Sequence, residues 1–358
     1  MSALLGIDPT LAVELAYWQQ TVIKVLVTAL VVPTAALVLG YVFLLKMMSH
    51  MQSRLGPMEA GPHGALQLLA DGVKFIQKED IFPDKADRRV FALAPVVVLI
   101  STFLLYVVVP AGPRNAIVED LDVGIFYALA VSSLSVIGIL MAGWASANKY
   151  ALLGGIRAAG QLIAYELPLV LAVVGVVIQA GSLSMQDIVM AQTDGEIFGF
   201  GALGNPFFLT QIVGLFIFLI AVQAELTQPP FDMPVAESEI VGGYQVEYTG
   251  FRFLLFFMAE FATAFAFAGI AATLFLGGWS VPPFLTDLAG IEPDSSWMYV
   301  FGPMVLFAKI MLVSFFIFWV RFTYPRFRED QLQAFAWKFL IPLSLANIAL
   351  TGVLKVVF

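Results

Sequence analysis

The chain has 358 residues, of which 60% are hydrophobic and only 12% charged, with a formal charge of −8 and a mean hydropathy of +0.90. Soluble domains run near 45–50% apolar and about 25% charged, so this composition excludes an ordinary soluble globule and fits an integral membrane protein. Zero cysteines exclude a cysteine-held Fe–S cluster, a thiol nucleophile and a disulfide framework, two histidines (His50 and His63) argue against haem or a His-rich metal centre, and the negative balance gives no basic field for nucleic acid.

At the start of the chain, Asp8 and Glu14 lie where the basic region of a signal peptide would be, and no small-residue cleavage site follows a short apolar core. The first long apolar run therefore reads as a retained span. Eight stretches are long and apolar enough to cross, roughly 22–45, 90–110, 123–145, 161–181, 207–224, 253–276, 299–320 and 334–357. The runs are continuous rather than alternating, which predicts helices and not barrel strands. Pro33 and Pro95 fall in or near spans, where a kink is tolerated. Between the first two spans, residues 64–79 form a different pattern. Gln67, Asp71, Lys74 and Lys78 recur at helical spacing opposite Leu66, Leu69, Val73 and Ile76. This predicts an amphipathic helix at the membrane interface. No internal repeat, low-complexity tract or linker divides the chain, so residues 1–358 read as a single membrane domain.

Orientation follows from Lys and Arg. The loop between spans one and two holds Lys46, Arg54, Lys74, Lys78, Lys85, Arg88 and Arg89, and the third, fifth and seventh loops add Lys149, Arg157, Arg252, Arg321, Arg326 and Arg328. The alternate loops hold Arg114 but collect Glu119, Asp120, Asp122, Asp187, Asp194, Glu196, Asp287, Glu292 and Asp294. The positive-inside rule puts the basic loops in the cytoplasm and both termini outside.

Charges at membrane depth cost roughly 2.5–3.5 kcal/mol on insertion scales and need a reason. Lys24, Glu166, Glu260 and Lys309 fall inside predicted spans. Lys24 is near an outer end and can snorkel; Lys309 suits either a carboxylate pairing or a proton path. Glu166, placed less than two turns from the cytoplasmic end of its span, suits proton carriage. The stretch 225–252 interleaves Glu225, Asp232, Glu237, Glu239 and Glu247 with Phe231, Ile240, Val241, Tyr244 and Tyr248, and Pro229-Pro230 and Gly242-Gly243 break helical continuity. This predicts backbone folded back into a protein-lined cavity, carboxylates inward. There is no Walker loop, no dinucleotide fingerprint and no paired His, so any redox or ATP chemistry must lie on another chain. The residues alone leave two classes open: a proton-handling subunit of an energy-converting complex, and a secondary transporter, although transporters often show two related halves and none is visible here.

Four segments resemble a known family, the H subunits of proton-translocating NADH:quinone oxidoreductase (subunit 1 of respiratory complex I). They are Gln52 to Pro57 continuing through Leu66–Asp71, Lys74 and Lys78–Asp80; Leu153 to Arg157 with Tyr165-Glu166; Pro230 to Glu239 continuing to Glu247-Tyr248; and Pro325 to Leu332 with Trp337-Lys338. The resemblance implies an all-α fold of eight transmembrane helices plus a cytoplasmic-side amphipathic helix, in the bacterial inner membrane. It also implies a place between a peripheral redox arm and antiporter-like and small membrane subunits, in contact with lipid. By the same resemblance, Arg54, Asp71, Lys74, Phe231 and Arg252 would border a quinone chamber. Glu166, Glu225, Asp232, Glu237, Glu239 and Glu247 would form an acidic proton path. Arg157, Arg252, Arg321, Arg326 and Arg328 would be counter-charges or peripheral-arm contacts. Quinone would be the substrate, with FMN and Fe–S clusters on partner subunits and no cofactor on this chain. Two departures stand out. Leu44-Leu45-Lys46 occupies the place where most relatives carry Glu-Arg-Lys, and Glu225-Leu-Thr-Gln lacks an Arg common there. Related membrane subunits of energy-converting hydrogenases, which handle no quinone, are the alternative.

Overall fold

The computed structural model describes residues 17–113, 118–195, 204–281 and 298–357, and among these every regular element is helical. The acidic positions Asp8, Glu14, Glu196, Asp287, Glu292 and Asp294, together with Arg114, lie outside the described residues.

Seven helices are long and apolar enough to cross a membrane. These are α1 (Trp18–Met51), α3 (Arg88–Leu105), α4 (Gly124–Ala145), α5 (Lys149–Ala180), α10 (Gly250–Leu276), α11 (Met298–Thr323) and α12 (Glu329–Val357). Local chemistry sets several ends. Asp87 caps α3 by accepting from the amides of Arg89 and Val90, and Asn148 caps α5 by accepting from Tyr150. The long α1 and α12 each contain a π-helical segment, Gly40–Met47 and Ala336–Leu340. Small residues let helices approach: a Cβ on Gly138 of α4 would meet Val98 of α3 at 2.5 Å, and one on Gly143 would meet the carbonyl of Ala151 in α5 at 2.8 Å.

Two helices differ in extent from the predicted spans. The fourth, expected over 161–181, begins at Lys149. Glu166 therefore lies 17 residues into α5, about 25 Å along its axis, rather than within two turns of its end. The extra turns pack on α4 through Ala151 and Gly155 and on the loop after α8 through Gly154 and Arg157. The fifth span, expected over 207–224, is broken at Gln211 (φ −116°, ψ 38°) into α7 (Phe207–Thr210) and α8 (Ile212–Glu225). The 14 residues of α8 reach about 21 Å, short of the ~30 Å hydrocarbon core. The break is stabilised by a buried polar set. The Gln211 amide donates to Thr351 Oγ1 (2.7 Å) and accepts from Asn347 (3.0 Å), both on α12. A further element, α6 (Met185–Asp194), is a short Ser184-capped helix in the loop after α5, where no span or amphipathic pattern is expected.

The amphipathic segment is a helix, α2 (Gln67–Gln77), preceded by a 3-10 turn at Pro62–Gly64. It docks through a mixed face in which Leu68 fills the space left by Gly40 of α1 and Phe75 meets Phe253 of α10 at 5.5 Å. Its apolar stripe, Leu66, Leu69, Val73 and Ile76, faces outward and stays exposed.

The loops make two separate sets of contacts. At one end, Asp87 N–H bonds the carbonyl of Ala145, Asn148 bonds Glu247, Arg252 pairs with Asp80, and Phe327 N–H bonds the carbonyl of Pro230. At the other, Lys24 pairs with Glu119 (2.9 Å), Ile125 N–H bonds the carbonyl of Leu183, and Trp279 donates to Gln186.

Candidate functional site

The segment between α8 and α10 is not a solvated loop. Leu226, Phe231, Met233, Ala236, Tyr244 and Tyr248 are all buried. Phe231 sits between Tyr165 of α5 (5.2 Å) and Phe327 (5.4 Å), and Tyr248 stacks on Phe91 of α3 at 4.0 Å while its hydroxyl donates to the carbonyl of Phe91. Burial raises the phenols of Tyr244 and Tyr248 above their ordinary range. Gly243 has φ +56°, and a Cβ there would lie 1.6 Å from the carbonyl oxygen of Pro234. Only glycine lets the chain fold back here, against Gly154 of α5.

The carboxylates do not all point inward. Glu237 and Glu239 are exposed on a four-residue helix, α9 (Glu237–Ile240). There Glu239 reaches Arg157 of α5 at 2.7 Å and Arg326 at 3.5 Å, and Arg326 also donates to Ser238. The guanidinium groups supplied by α5 and the α11–α12 connection draw this part of the loop outward. Glu247 accepts from Asn148 at 2.6 Å, beside an open surface cleft that also includes Lys85 and Lys149.

Beneath α9 lies a cavity of about 430 Å³ lined by Asp232, Glu237, Gln245, Glu260, Arg321 and Arg326, among others. Glu260 of α10 pairs with Arg321 of α11 at 3.3 Å and accepts from Gln228 at 3.3 Å. Asp232 is pushed from 3.8 up to about 6, first by burial and then by the negative charge of Glu260; Arg326 and Arg321 act against this. Glu225, at the end of α8, has a buried Oε2 with no hydrogen-bond partner and feels the charge of Glu166 across the α5–α8 contact. The acids form two groups: Asp232, Glu237 and Glu260 about the cavity, and Glu225 with Glu166 across the α5–α8 contact.

The structure distributes the residues assigned to quinone. Arg54 is exposed and donates to Gln52; the exposed Lys74 pairs with the half-buried Asp71 (3.3 Å) on α2; Arg252 pairs with Asp80 (2.7 Å) and covers the ring of Phe82 at 3.8 Å. Phe231 is 4% exposed inside the aromatic cluster and away from α2. Lys309 donates to the carbonyls of Gly278 and Ser280, both at 2.8 Å. Among the described residues, no group of three or more His, Asp or Glu could hold a metal ion.

Two features of the site carry little signal in the sequence. Glu260 stands out as a charge inside a span, but nothing local signals that it and Arg321 wall the cavity. Gln161, a buried amide within the apolar part of α5, donates to the carbonyls of Ala224 and Phe231, both at 2.7 Å. A lone Gln one turn before Tyr165-Glu166 is the available signal.

The pattern of a family described as NADH dehydrogenase matches residues 23–352. The chain is 46% identical to the H subunit of NADH-quinone oxidoreductase from Dehalococcoides mccartyi (strain CBDB1), over 86% of this chain and 79% of that protein. It is 44% identical to the H subunit from Anoxybacillus flavithermus, over 87% of each chain. It is likewise 44% identical to the H 2 subunit from Syntrophobacter fumaroxidans, over 92% of this chain and 95% of that one. With the match running from α1 to α12 and including the folded-back acidic loop, this chain belongs to the NADH dehydrogenase family of membrane subunits.

Proposed function

We propose that this chain is the membrane subunit of a proton-translocating NADH:quinone oxidoreductase that couples quinone reduction to proton movement through Glu166, Glu225, Asp232 and Glu260. The observation that carries the reading is the cavity in which Asp232, Glu237 and Glu260 meet Arg321 and Arg326 under a buried loop. A carboxyl pushed up to about 6 takes and gives protons near neutrality. Quinone reduced by an Fe–S partner leaves a headgroup that needs two protons. The resulting charge change shifts the neighbouring acids and is passed along them toward antiporter-like subunits. Residues near α2, including Arg54, Asp71, Lys74 and Arg252, border the quinone chamber in this reading, whereas Phe231 acts through loop packing. FMN and the Fe–S clusters belong to partner chains; this chain has no cysteine to hold a cluster.

Eight crossings in one membrane domain, with both termini outside the bacterial inner membrane, complete the reading. The uneven distribution of Lys and Arg over the loops supports it, because α7 and α8 together must then connect an outer loop to a cytoplasmic one. Cysteines placed at Ser53 and Ser238 are expected to label only from the cytoplasmic side of sealed vesicles, and one at Asp122 only from outside. Labelling of Ser238 from outside would invert the topology. For the function itself, Glu166→Gln is expected to impair quinone-linked turnover and pumping in an assembled complex. Near-normal pumping would remove Glu166 from the path. No observation favours the hydrogenase-type alternative.

A further inference from the structure

Gln161 stands apart from the acids that the proton path uses. It is 1% exposed, and its amide has two N–H donors, both committed: one to the carbonyl of Ala224 and one to that of Phe231, each at 2.7 Å. Each carbonyl belongs to the residue immediately before an acid of the path, Glu225 and Asp232. One side chain on α5 therefore fixes the backbone position of both acids, across 63 and 70 residues of sequence. Two further glutamines repeat the device locally: Gln223 donates to the carbonyl of Pro229 at 2.7 Å, and Gln228 donates to Glu260.

The choice of amide has a physical consequence. A carboxylic acid or lysine in this position would change its donors as it titrated, so the loop would move with its own brace. A neutral amide keeps both donors at every pH, and the loop geometry is left to respond to Glu225 and Asp232 alone. The same neighbourhood holds unmatched buried oxygens. Gln161 Oε1, Gln228 Oε1 and Glu225 Oε2 are all buried oxygens without a protein donor. Buried acceptors of this kind are met by a donor, an ordered water among them. The charged and phenolic groups on the elements around the brace include Arg157, Tyr165 and Glu166 on α5, Glu225 at the end of α8, Asp232, Glu237, Glu239 and Tyr244 in the loop, and Glu329 at the start of α12, which pairs with Arg157.

We infer that Gln161 is a positioning residue of the coupling machinery, the titration-independent clamp that holds Glu225 and Asp232 in one proton-transfer register. This role rests on the proposed proton path and adds to it a residue that carries no proton itself.

The test uses the assembled complex in native membranes, with Gln161→Leu, Gln161→Glu and, as a control on the path, Glu225→Gln. Leu keeps the bulk and removes both donors; Glu keeps the shape and donates one hydrogen bond only when protonated. The expected result is assembly of Gln161→Glu with proton pumping per electron reduced roughly tenfold at high pH, where both donated hydrogen bonds are lost. Pumping should recover as the pH falls, more steeply than in the parent. Gln161→Leu should show the high-pH defect at every pH. Failure of both variants to assemble, or equal defects at every pH in both, would make Gln161 an ordinary structural brace and overturn the inference. Unchanged pumping in both would also overturn it. If Glu225→Gln pumps normally as well, the carboxylate path fails with it; if only the Gln161 variants are normal, the path stands and the clamp does not.

Discussion

The amphipathic helix α2 and the acidic loop 226–249 lie at the same end of the bundle, and both mix charges with large apolar side chains. Their solutions are opposite. In α2 the apolar stripe of Leu66, Leu69, Val73 and Ile76 is exposed, while a face bearing Gln67, Leu68 and Asp71 meets the bundle. In the loop, Phe231, Tyr244 and Tyr248 are buried, and polar groups are matched to Arg157 and Gln161 of α5, to Asn148 at its cap and to Arg326 of the α11–α12 connection. A segment that relies on lipid needs only its own periodicity. A segment that replaces water with protein needs a partner for each polar group, and its geometry is therefore tied to distant residues.

Substitution at glycine separates the two most sharply. Gly243→Ala places a methyl group 1.6 Å from a backbone oxygen, and a loss of more than about 4 kcal/mol is expected, seen as failure to assemble on native gels. Gly72→Ala in α2 meets nothing within 4 Å and is expected to stabilise the helix by about 0.5–1 kcal/mol. A tolerated Gly243→Ala would mean that the loop is not held as described.

Charge removal gives the next largest contrast. Arg321→Ala leaves Glu260 without its counter-charge in a largely buried setting and is expected to cost roughly 3 kcal/mol in thermal or denaturant unfolding. Lys74→Ala removes the exposed partner of Asp71 on α2 and is expected to cost under about 1 kcal/mol. Comparable losses from the two would erase the distinction between a solvated and a buried pair.

Asp232 makes the loop sensitive to pH in a direction unusual for a carboxylate. Its value is raised in the fold from 3.8 to about 6, so the folded loop binds the proton more tightly than the unfolded chain does. Its stabilising contribution is complete below pH 3.8 and is lost as pH rises through 6, by up to about 3 kcal/mol. Hydrogen exchange of 226–249 should accelerate between about pH 5 and 7, and Asp232→Asn should flatten that dependence while α2 exchanges alike in both proteins. A pH response that survives in Asp232→Asn would assign it to another group.

The smallest effect is expected in α2 itself. The double change Leu69→Ser with Val73→Ser should alter unfolding in detergent by no more than about 0.5 kcal/mol, because both side chains are exposed. In liposomes it should speed exchange of α2 toward its detergent rate. Equal exchange in liposomes and detergent for the parent protein would show that the stripe does not meet lipid.

Much of the architecture is legible residue by residue. The apolar runs locate seven long helices to within a few residues at most ends, and the 3.6-residue pattern locates α2. The mixture of acids, aromatics, Pro229-Pro230 and Gly242-Gly243 marks the loop as folded inward. What the sequence leaves out is of another kind. The break at Gln211 depends on Asn347 and Thr351, at separations of 136 and 140 residues. The early start of α5 depends on contacts of Gly154 and Arg157 with the loop. Glu239 turns outward because Arg157 and Arg326 lie there.

By itself the sequence determined the solvent this protein folds in, the helical class, the amphipathic face and the roster of acids, since composition and periodicity act over neighbours three or four residues apart. Only the tertiary structure decided which acids are paired, which face a cavity and which amide holds them. Tyr165 and Leu332, or Gln161 and Phe231, meet only after the helices have packed. A side chain's partner at that separation is chosen by the geometry of the bundle, which no local pattern encodes.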